Sequence, residues 1–283
     1  MKRTFGRFSF RSSIEKGCWI VYNNATNCGV RLRWLGCACF ELDFGSATVV
    51  IDPWITANQR TGLTWKVVEK CDCIALTHGH FDHILDIPAL AKKFHPRILC
   101  AENTAVPLMK WADLNPMTVY PMHPNLVLDL DSTRIKALFG RHGVLPGTVN
   151  ERMESIKTHS IVGEDSLLRE LFFWGDIEYR NYLFTMPNGT KILFWGNPLH
   201  LPEHRNALIK EKPDILILQA TDKRIPETAA KLCAQIGCTA VIPHHMDFPG
   251  DYCHIVDALG KELAQVAPQT QYIVPAYGRW LSL

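Results

Sequence analysis

No stretch of this chain is apolar for long enough to span a bilayer. No charge of one sign dominates either. Thirty Lys and Arg against 28 Asp and Glu leave a net charge of +2, so nothing calls for a nucleic-acid or membrane partner. The one local bias is basic, from Lys2 and Arg3 through Arg7 and Arg11 to Lys16. Ser9, Ser12 and Ser13 interrupt it, so it is not a secretory leader, and it reads as a solvated arm. A C-x-x-C pair is absent, which excludes zinc-ribbon and thioredoxin chemistry. A G-x-S-x-G elbow and a P-loop are absent too, so neither a serine nucleophile nor a phosphate cradle competes for the chemistry.

What is present is a core-forming composition, 283 residues with 47% hydrophobic content. That size fits one large α/β domain or two small ones. The absence of an export signal sets the expectation of a cytoplasmic, reducing setting in which the ten cysteines are mostly free thiols. Cys37/Cys39 and Cys71/Cys73 are C-x-C pairs. Within a strand such a pair shares one face, which leaves a soft-metal site open. Packing as small buried hydrophobes is the preferred reading.

Short apolar runs bounded by Gly, Pro, Asn or Asp predict strands over 31–35, 47–51, 73–77, 97–101, 126–130, 134–139, 182–186, 191–195, 214–219, 239–243 and 272–275. Asn188-Gly189 marks a hairpin between two of them. Helical spacing predicts helices over 84–94, 165–174, 226–236 and 251–266. Strands dominate the first half and mix with helices in the second, an α+β pattern of sheets covered by helices. Residues 145–179 are the least regular and read as an insertion or lid. Their aromatic run Leu171-Phe172-Phe173-Trp174 would shape a substrate pocket, pack on the core or make a homo-oligomer contact.

The sharpest feature is Thr77-His78-Gly79-His80-Phe81-Asp82-His83. Four potential ligands follow a strand directly and precede a helix. Gly79 permits a tight turn between two imidazoles. Three neutral imidazoles and a carboxylate suit zinc, manganese, iron or nickel.

H-x-H-x-D-H in this setting resembles the signature of the metallo-β-lactamase superfamily. Leu35-Gly36-Cys37-Ala38-Cys39-Phe40 resembles that family's opening hairpin. Val49-Val50-Ile51-Asp52-Pro53-Trp54 resembles its "IDP" strand end, with Asp52 as the carboxylate that supports the metal loop without binding metal. Phe139-Gly140-Arg141-His142-Gly143 resembles the third-histidine motif. Thr239 to Asp247 resembles the P-x-H ending of the lactonase-like branch, which selects His245 over His244. The resemblance implies a four-layer αββα fold of two mixed sheets flanked by helices, in a single domain over 1–283 with an N-terminal arm over 1–30. It implies one or two divalent ions, zinc first. One would lie on His78, His80 and His142, the other on Asp82, His83 and His245.

One position departs from the pattern. Where the family carries a metal-bridging aspartate after Trp195-Gly196, this chain has Asn197. A neutral amide offers one weak oxygen ligand and no charge, and two dications with less anionic charge between them repel more. One tight metal, a lineage with altered chemistry and an engineered substitution all fit. His200, three residues on, is a candidate to compensate or to touch substrate. His159, in the lid, and His244 are further candidates for substrate contact.

The resemblance implies metal-assisted hydrolysis of a small lactone, phosphodiester or amide, with Asp82 and His245 as catalytic candidates. The series of motifs is most similar to the branch of ascorbate-6-phosphate lactonase and N-acyl-phosphatidylethanolamine phospholipase D-like enzymes. The alternative is a metal-containing binding or sensor protein impaired by Asn197.

Overall fold

The computed structural model describes residues 28–142, 148–158 and 161–283. The basic arm and His159 lie outside them.

The first sheet holds Arg31–Gly36 (β1), Cys39–Asp43 (β2), Thr48–Ile51 (β3), Cys73–Ala75 (β4), Arg97–Cys100 (β5), Val119–Pro121 (β6) and Trp280–Ser282 (β14), in the order β14-β1-β2-β3-β4-β5-β6. The second holds Val127–Leu130 (β7), Thr133–Gly140 (β8), Tyr179–Thr185 (β9), Lys191–Trp195 (β10), Ile215–Gln219 (β11), Ala240–His244 (β12) and Gln271–Tyr272 (β13), in the order β13-β12-β11-β10-β9-β8-β7. Both are mixed. In the first, β3 to β6 are parallel and the pairings from β14 to β3 antiparallel. In the second, β10 to β13 are parallel and β7 to β10 antiparallel.

The helices are Phe81–Ile84 (α1), Ile87–Phe94 (α2), Glu102–Trp111 (α3), Val149–Lys157 (α4), Ser166–Ile177 (α5), Pro202–Glu211 (α6), Ile225–Ile236 (α7) and Cys253–Val266 (α8). Strand alternation divides the apolar side chains between layers. In β10, Ile192 and Phe194 face the central core between the sheets, while Leu193 and Trp195 face the helices. In β4, Cys73 and Ala75 face the centre and Ile74 faces outward. The outer face of the first sheet packs on Leu90 of α2 and Leu108 of α3. That of the second packs on Leu208 of α6, Ala229 of α7 and Leu259 of α8. The expected four-layer fold, helices–sheet–sheet–helices, is what these cores build.

Several boundaries differ from the sequence expectation. The predicted helix over 84–94 is two, α1 and α2. Helices α3, α4 and α6 were not predicted. Pro107 sits inside α3, which argues locally against a helix there. The buried residues of α6 are His204, Leu208 and Glu211, too polar a face to register as amphipathic. Asn188-Gly189 does turn the hairpin, with Gly189 at φ 87.

The C-x-C expectation is corrected. Cys37 stands outside the strands, in the turn between β1 and β2, at φ 48. It faces the central core, while Cys39 faces the outer one. Cys71 and Cys73 divide in the same way because Cys71 precedes β4.

Direction in the sheets decides where the site forms. β1, β3 and β4 run the same way in the first sheet; β8, β10 and β12 run the same way in the second. Cys37, Asp52, His78 to His83, His142, Asn197 and His245 all lie at or just past the C-terminal ends of these six strands. The chain returns to one edge of the sandwich six times, and each return delivers a polar group.

Candidate metal centre

Two clusters of potential ligands meet at that edge. One is His78, His80 and His142; the other is Asp82, His83, His245 and Cys37. Within each, the ligand atoms lie within 4.8 Å of one another. The clusters adjoin, since the rings of His78 and His83 are 4.0 Å apart between centroids.

The hydrogen bonds around the imidazoles fix which nitrogen of each is bare. Thr77 Oγ1 donates its only proton to Asp52 Oδ2 at 2.6 Å. The same oxygen lies 2.9 Å from His78 Nδ1, so it must accept there, and the proton sits on Nδ1. His78 Nε2 is left with its lone pair, buried and without a hydrogen-bond partner among the described residues. His83 Nδ1 donates to Asp52 Oδ2 at 2.8 Å. His245 Nδ1 donates to the Phe248 carbonyl at 2.6 Å. His80 is reversed: its Nε2 donates to Asp176 Oδ1 at 3.2 Å, leaving Nδ1 bare. Each of these four imidazoles is therefore oriented through one nitrogen and free to act through the other, which is how metal-binding histidines are held.

Asp52 is the organiser of the loop. Its carboxylate accepts from the Thr77 amide (2.7 Å), the Thr77 hydroxyl and His83. It does so from a left-handed backbone, φ 45. Cys37 and His245 share that conformation, at φ 48 and 57. Non-glycine residues held there cost ~1–3 kcal/mol each and cluster at functional sites.

The charges call for a cation. Asp52 and Asp82 are buried, and their ion pairs among the described residues are all with histidines. Burial pulls His83 down, but Asp82 and Asp52 more than reverse it and raise it to about 10. Burial would raise Asp82, yet His83 and His245 hold it well below the usual carboxylate range. Burial, and then the imidazoles of His83, His80 and His142, hold His78 well below its ordinary value. A protonated His83 is the positive charge these carboxylates find in the protein alone, and an ion on its Nε2 would take that proton's place. Bare buried nitrogen lone pairs beside a buried carboxylate are a donor set that fits a divalent ion.

Helix α5 closes one side. It approaches so closely that a Cβ on Gly79 would stand 2.4 Å from the Leu171 carbonyl, and one on Gly175 would stand 2.5 Å from His80 Cδ2. Phe172 stacks on His80 with centroids 4.1 Å apart. Arg152 of α4 donates to Asp176 Oδ2 at 2.5 Å, so the lid segment holds the partner of His80. Of the seven clustered residues only His142 is exposed.

Asn197 is buried beside the centre, but its amide is spent. Oδ1 accepts from Asn181 Nδ2 at 2.5 Å, and Nδ2 donates to the Arg141 carbonyl at 2.8 Å. It fastens the end of β10 to the residue before His142. His244 is corrected as a substrate contact: it is fully buried, stacked on Phe194 at 4.4 Å, with Nε2 3.1 Å from the Trp195 carbonyl. His200 is exposed and belongs to neither cluster.

Two participants escaped the sequence reading, and Cys37 entered it only as half of a C-x-C pair. Cys37 lies inside the quoted hairpin motif, and its position at the tip after Gly36 was the available signal. Asp247 ends the quoted P-x-H segment. It accepts from the Cys37 amide (3.0 and 3.2 Å), Asn58 Nδ2 (3.2 Å) and Tyr277 Oη (2.9 Å). Asp176 had no local signal.

A family model described as a beta-lactamase superfamily domain matches residues 31–245. A UPF0173 metal-dependent hydrolase of Koribacter versatilis is 40% identical over 83 residues, 29% of this chain and 36% of that protein. The match thus spans about a third of that relative's length. Among solved structures, the metallo hydrolase Igni18 of Ignicoccus hospitalis superposes with a TM-score of 0.62 at 18% identity, over 89% of this chain and 97% of that one. The metallo-beta-lactamase fold protein YhfI of Bacillus subtilis gives 0.60 at 14% identity, over 89% and 98%. These two likenesses are of fold.

Proposed function

The chain belongs to the beta-lactamase superfamily, and on that premise we propose that it is a metal-dependent hydrolase holding two divalent cations, zinc first. The observation that carries this reading is the set of four oriented imidazoles. Bare nitrogens of His78 and His80 gather beside His142, and those of His83 and His245 beside Asp82, while the Thr77 hydroxyl, Asp176, Asp52 and the Phe248 carbonyl hold the opposite nitrogens. Such ions supply the Lewis acidity that makes a water molecule nucleophilic near neutral pH. His78, His80 and His142 hold one position; Asp82, His83 and His245 hold the other. Asp82, in the second cluster, would orient the attacking water and take its proton. His245 lies 3.4 Å from Asp82 Oδ2 and keeps that carboxylate ionised.

Substrate reaches the centre past His142, the exposed member of its cluster. Residues 145–179 act as the lid of a single domain, and α5 excludes water on its side. Phe172, Phe81, Trp54 and Phe248 form a continuous aromatic wall, with successive centroids 6.2, 6.1 and 4.6 Å apart. Trp54 and Phe81 are buried in the central core, so the row braces the ligand loop from within, and Phe172 is its member stacked on His80. As substrates, lactones and phosphodiesters come first, as in the branch the motifs resemble, and amides after them.

A metal-containing sensor is the second reading, favoured by the engaged amide of Asn197. Metal analysis followed by hydrolysis of a γ-lactone series and bis(p-nitrophenyl) phosphate separates the two. Turnover that disappears in Asp82→Ala supports the hydrolase. Bound metal with no turnover of any of these favours the sensor, and protein that takes up no metal sinks both.

A further inference from the structure

We propose that Cys37 is a fourth ligand of the second metal position, a thiolate that supplies the negative charge missing at Asn197. The inference rests on the two-metal reading above and deepens it.

Cys37 Sγ lies 3.7 Å from Asp82 Oδ2, fully buried, in one cluster with His83 and His245. His83 Nε2 and His245 Nε2 lie 3.5 and 3.4 Å from the same oxygen. The Cys37 thiol donates to Asp82 Oδ2, while the two imidazole separations are long for hydrogen bonds. All three separations, which meet at Asp82 Oδ2, lie close to the edge lengths of a coordination tetrahedron. Donors at the ~2.0–2.3 Å of Zn–O, Zn–N and Zn–S bonds stand ~3.3–3.6 Å from one another around a tetrahedral ion.

The thiol is also placed as ligands are placed. The Cys37 amide donates to the Asp247 carboxylate. Its carbonyl accepts from the His245 amide at 2.9 Å and from Trp34 Nε1 at 2.9 Å. Two candidate ligands from opposite sheets are thus joined backbone to backbone, and Asp247 is pinned in turn by Asn58 and Tyr277. The left-handed conformation of both residues turns their side chains into the centre. A cysteine that merely filled space would need none of this.

The charge argument agrees. Asp82 is the carboxylate of the clusters, and the Asn197 amide is neutral and engaged. A thiolate at Cys37 brings the donors to two negative charges. The thiol proton leaves to solvent as the ion enters. A soft sulfur ligand then selects zinc, cobalt or cadmium over manganese at this position.

The test uses the full-length protein. Zinc K-edge EXAFS on wild type loaded with two zinc ions should find one sulfur at ~2.3 Å shared over two metals. Loading with two cobalt(II) ions should give a near-ultraviolet sulfur-to-metal charge-transfer band. Cys37→Ala should abolish the band, keep the visible d–d bands of the first ion, and weaken the second site at least ~10–100-fold. Cys39→Ala should keep the band. Two bound metals with no sulfur scattering, or a band that survives Cys37→Ala, overturns the thiolate while leaving the two-metal reading intact. Wild type that takes up only one ion overturns both. The EXAFS arm needs no variant, so misfolding of Cys37→Ala cannot shield the proposal.

Discussion

The two clusters at the sheet edge are built by opposite strategies. The histidine triad contains no acidic residue, and His142 opens it to solvent. A lid helix packs against it, and its members are held by a threonine hydroxyl and a borrowed carboxylate, Asp176. The mixed cluster is buried throughout and carries the charge. It draws on turns from both sheets, with Cys37 and His245 in left-handed backbone. The first is cheap to assemble and depends on what covers it. The second concentrates strain and charge, and stands on the rigid ends of the strands. The comparison teaches that the cation-demanding half is the one the sheets themselves build, while the half that opens at His142 leans on a packed helix.

The largest effect expected is at Asp82, the carboxylate shared by the mixed cluster. Asp82→Ala should remove the second metal and cut hydrolysis by about 10³-fold, the ~4 kcal/mol scale of a Lewis acid in a transition state. Retention of two metals per chain would show that the mixed cluster is not a site. Asp52→Asn comes next. It leaves the ligands in place but removes the acceptor that orients Thr77, His78 and His83, so zinc affinity should fall ~10–100-fold at both positions. Titration with a chelating indicator reads it, and a loss confined to one position would break the link between the clusters.

Gly175→Ala sharpens the contrast from the lid side. Alanine gains about 1 kcal/mol of helix propensity, but its Cβ would sit 2.5 Å from His80 Cδ2 with the His80 amide at 3.0 Å. Overpacking of that kind costs ~1–3 kcal/mol, and the neighbouring backbone cannot yield. The triad should lose affinity while the mixed cluster keeps its own, which calorimetric titration resolves as two steps. Asn197→Asp should destabilise the fold by ~1–3 kcal/mol, because the Arg141 carbonyl loses its donor and faces a carboxylate. A denaturant midpoint that does not move would contradict the placement of that amide. His200→Ala should change neither metal content nor stability.

Much of this was legible in the sequence, for identifiable reasons. Strands show as apolar runs because both faces of each sheet are covered, and H-x-H-x-D-H shows because its ligands are neighbours in the chain. His245 was preferred over His244 because the segment resembles the family's P-x-H ending, and His245 is the one of the two that lies in a ligand cluster. Cys37 showed only as half of a C-x-C pair; its separation from Cys39 was hidden because alternation assumes a strand, and a left-handed turn breaks it. Asp176 was hidden because its meeting with His80 depends on how α5 packs, a tertiary fact with no local pattern. Helix α3 was hidden by Pro107, whose lost hydrogen bond is tolerated inside a packed helix.

The most direct measurement is the zinc content of purified wild type and Asp82→Ala after loading and exhaustive dialysis. Two ions per wild-type chain falling to one in the variant is the predicted result. An equal ratio in both, or no zinc in either, would contradict a centre built from two unlike halves.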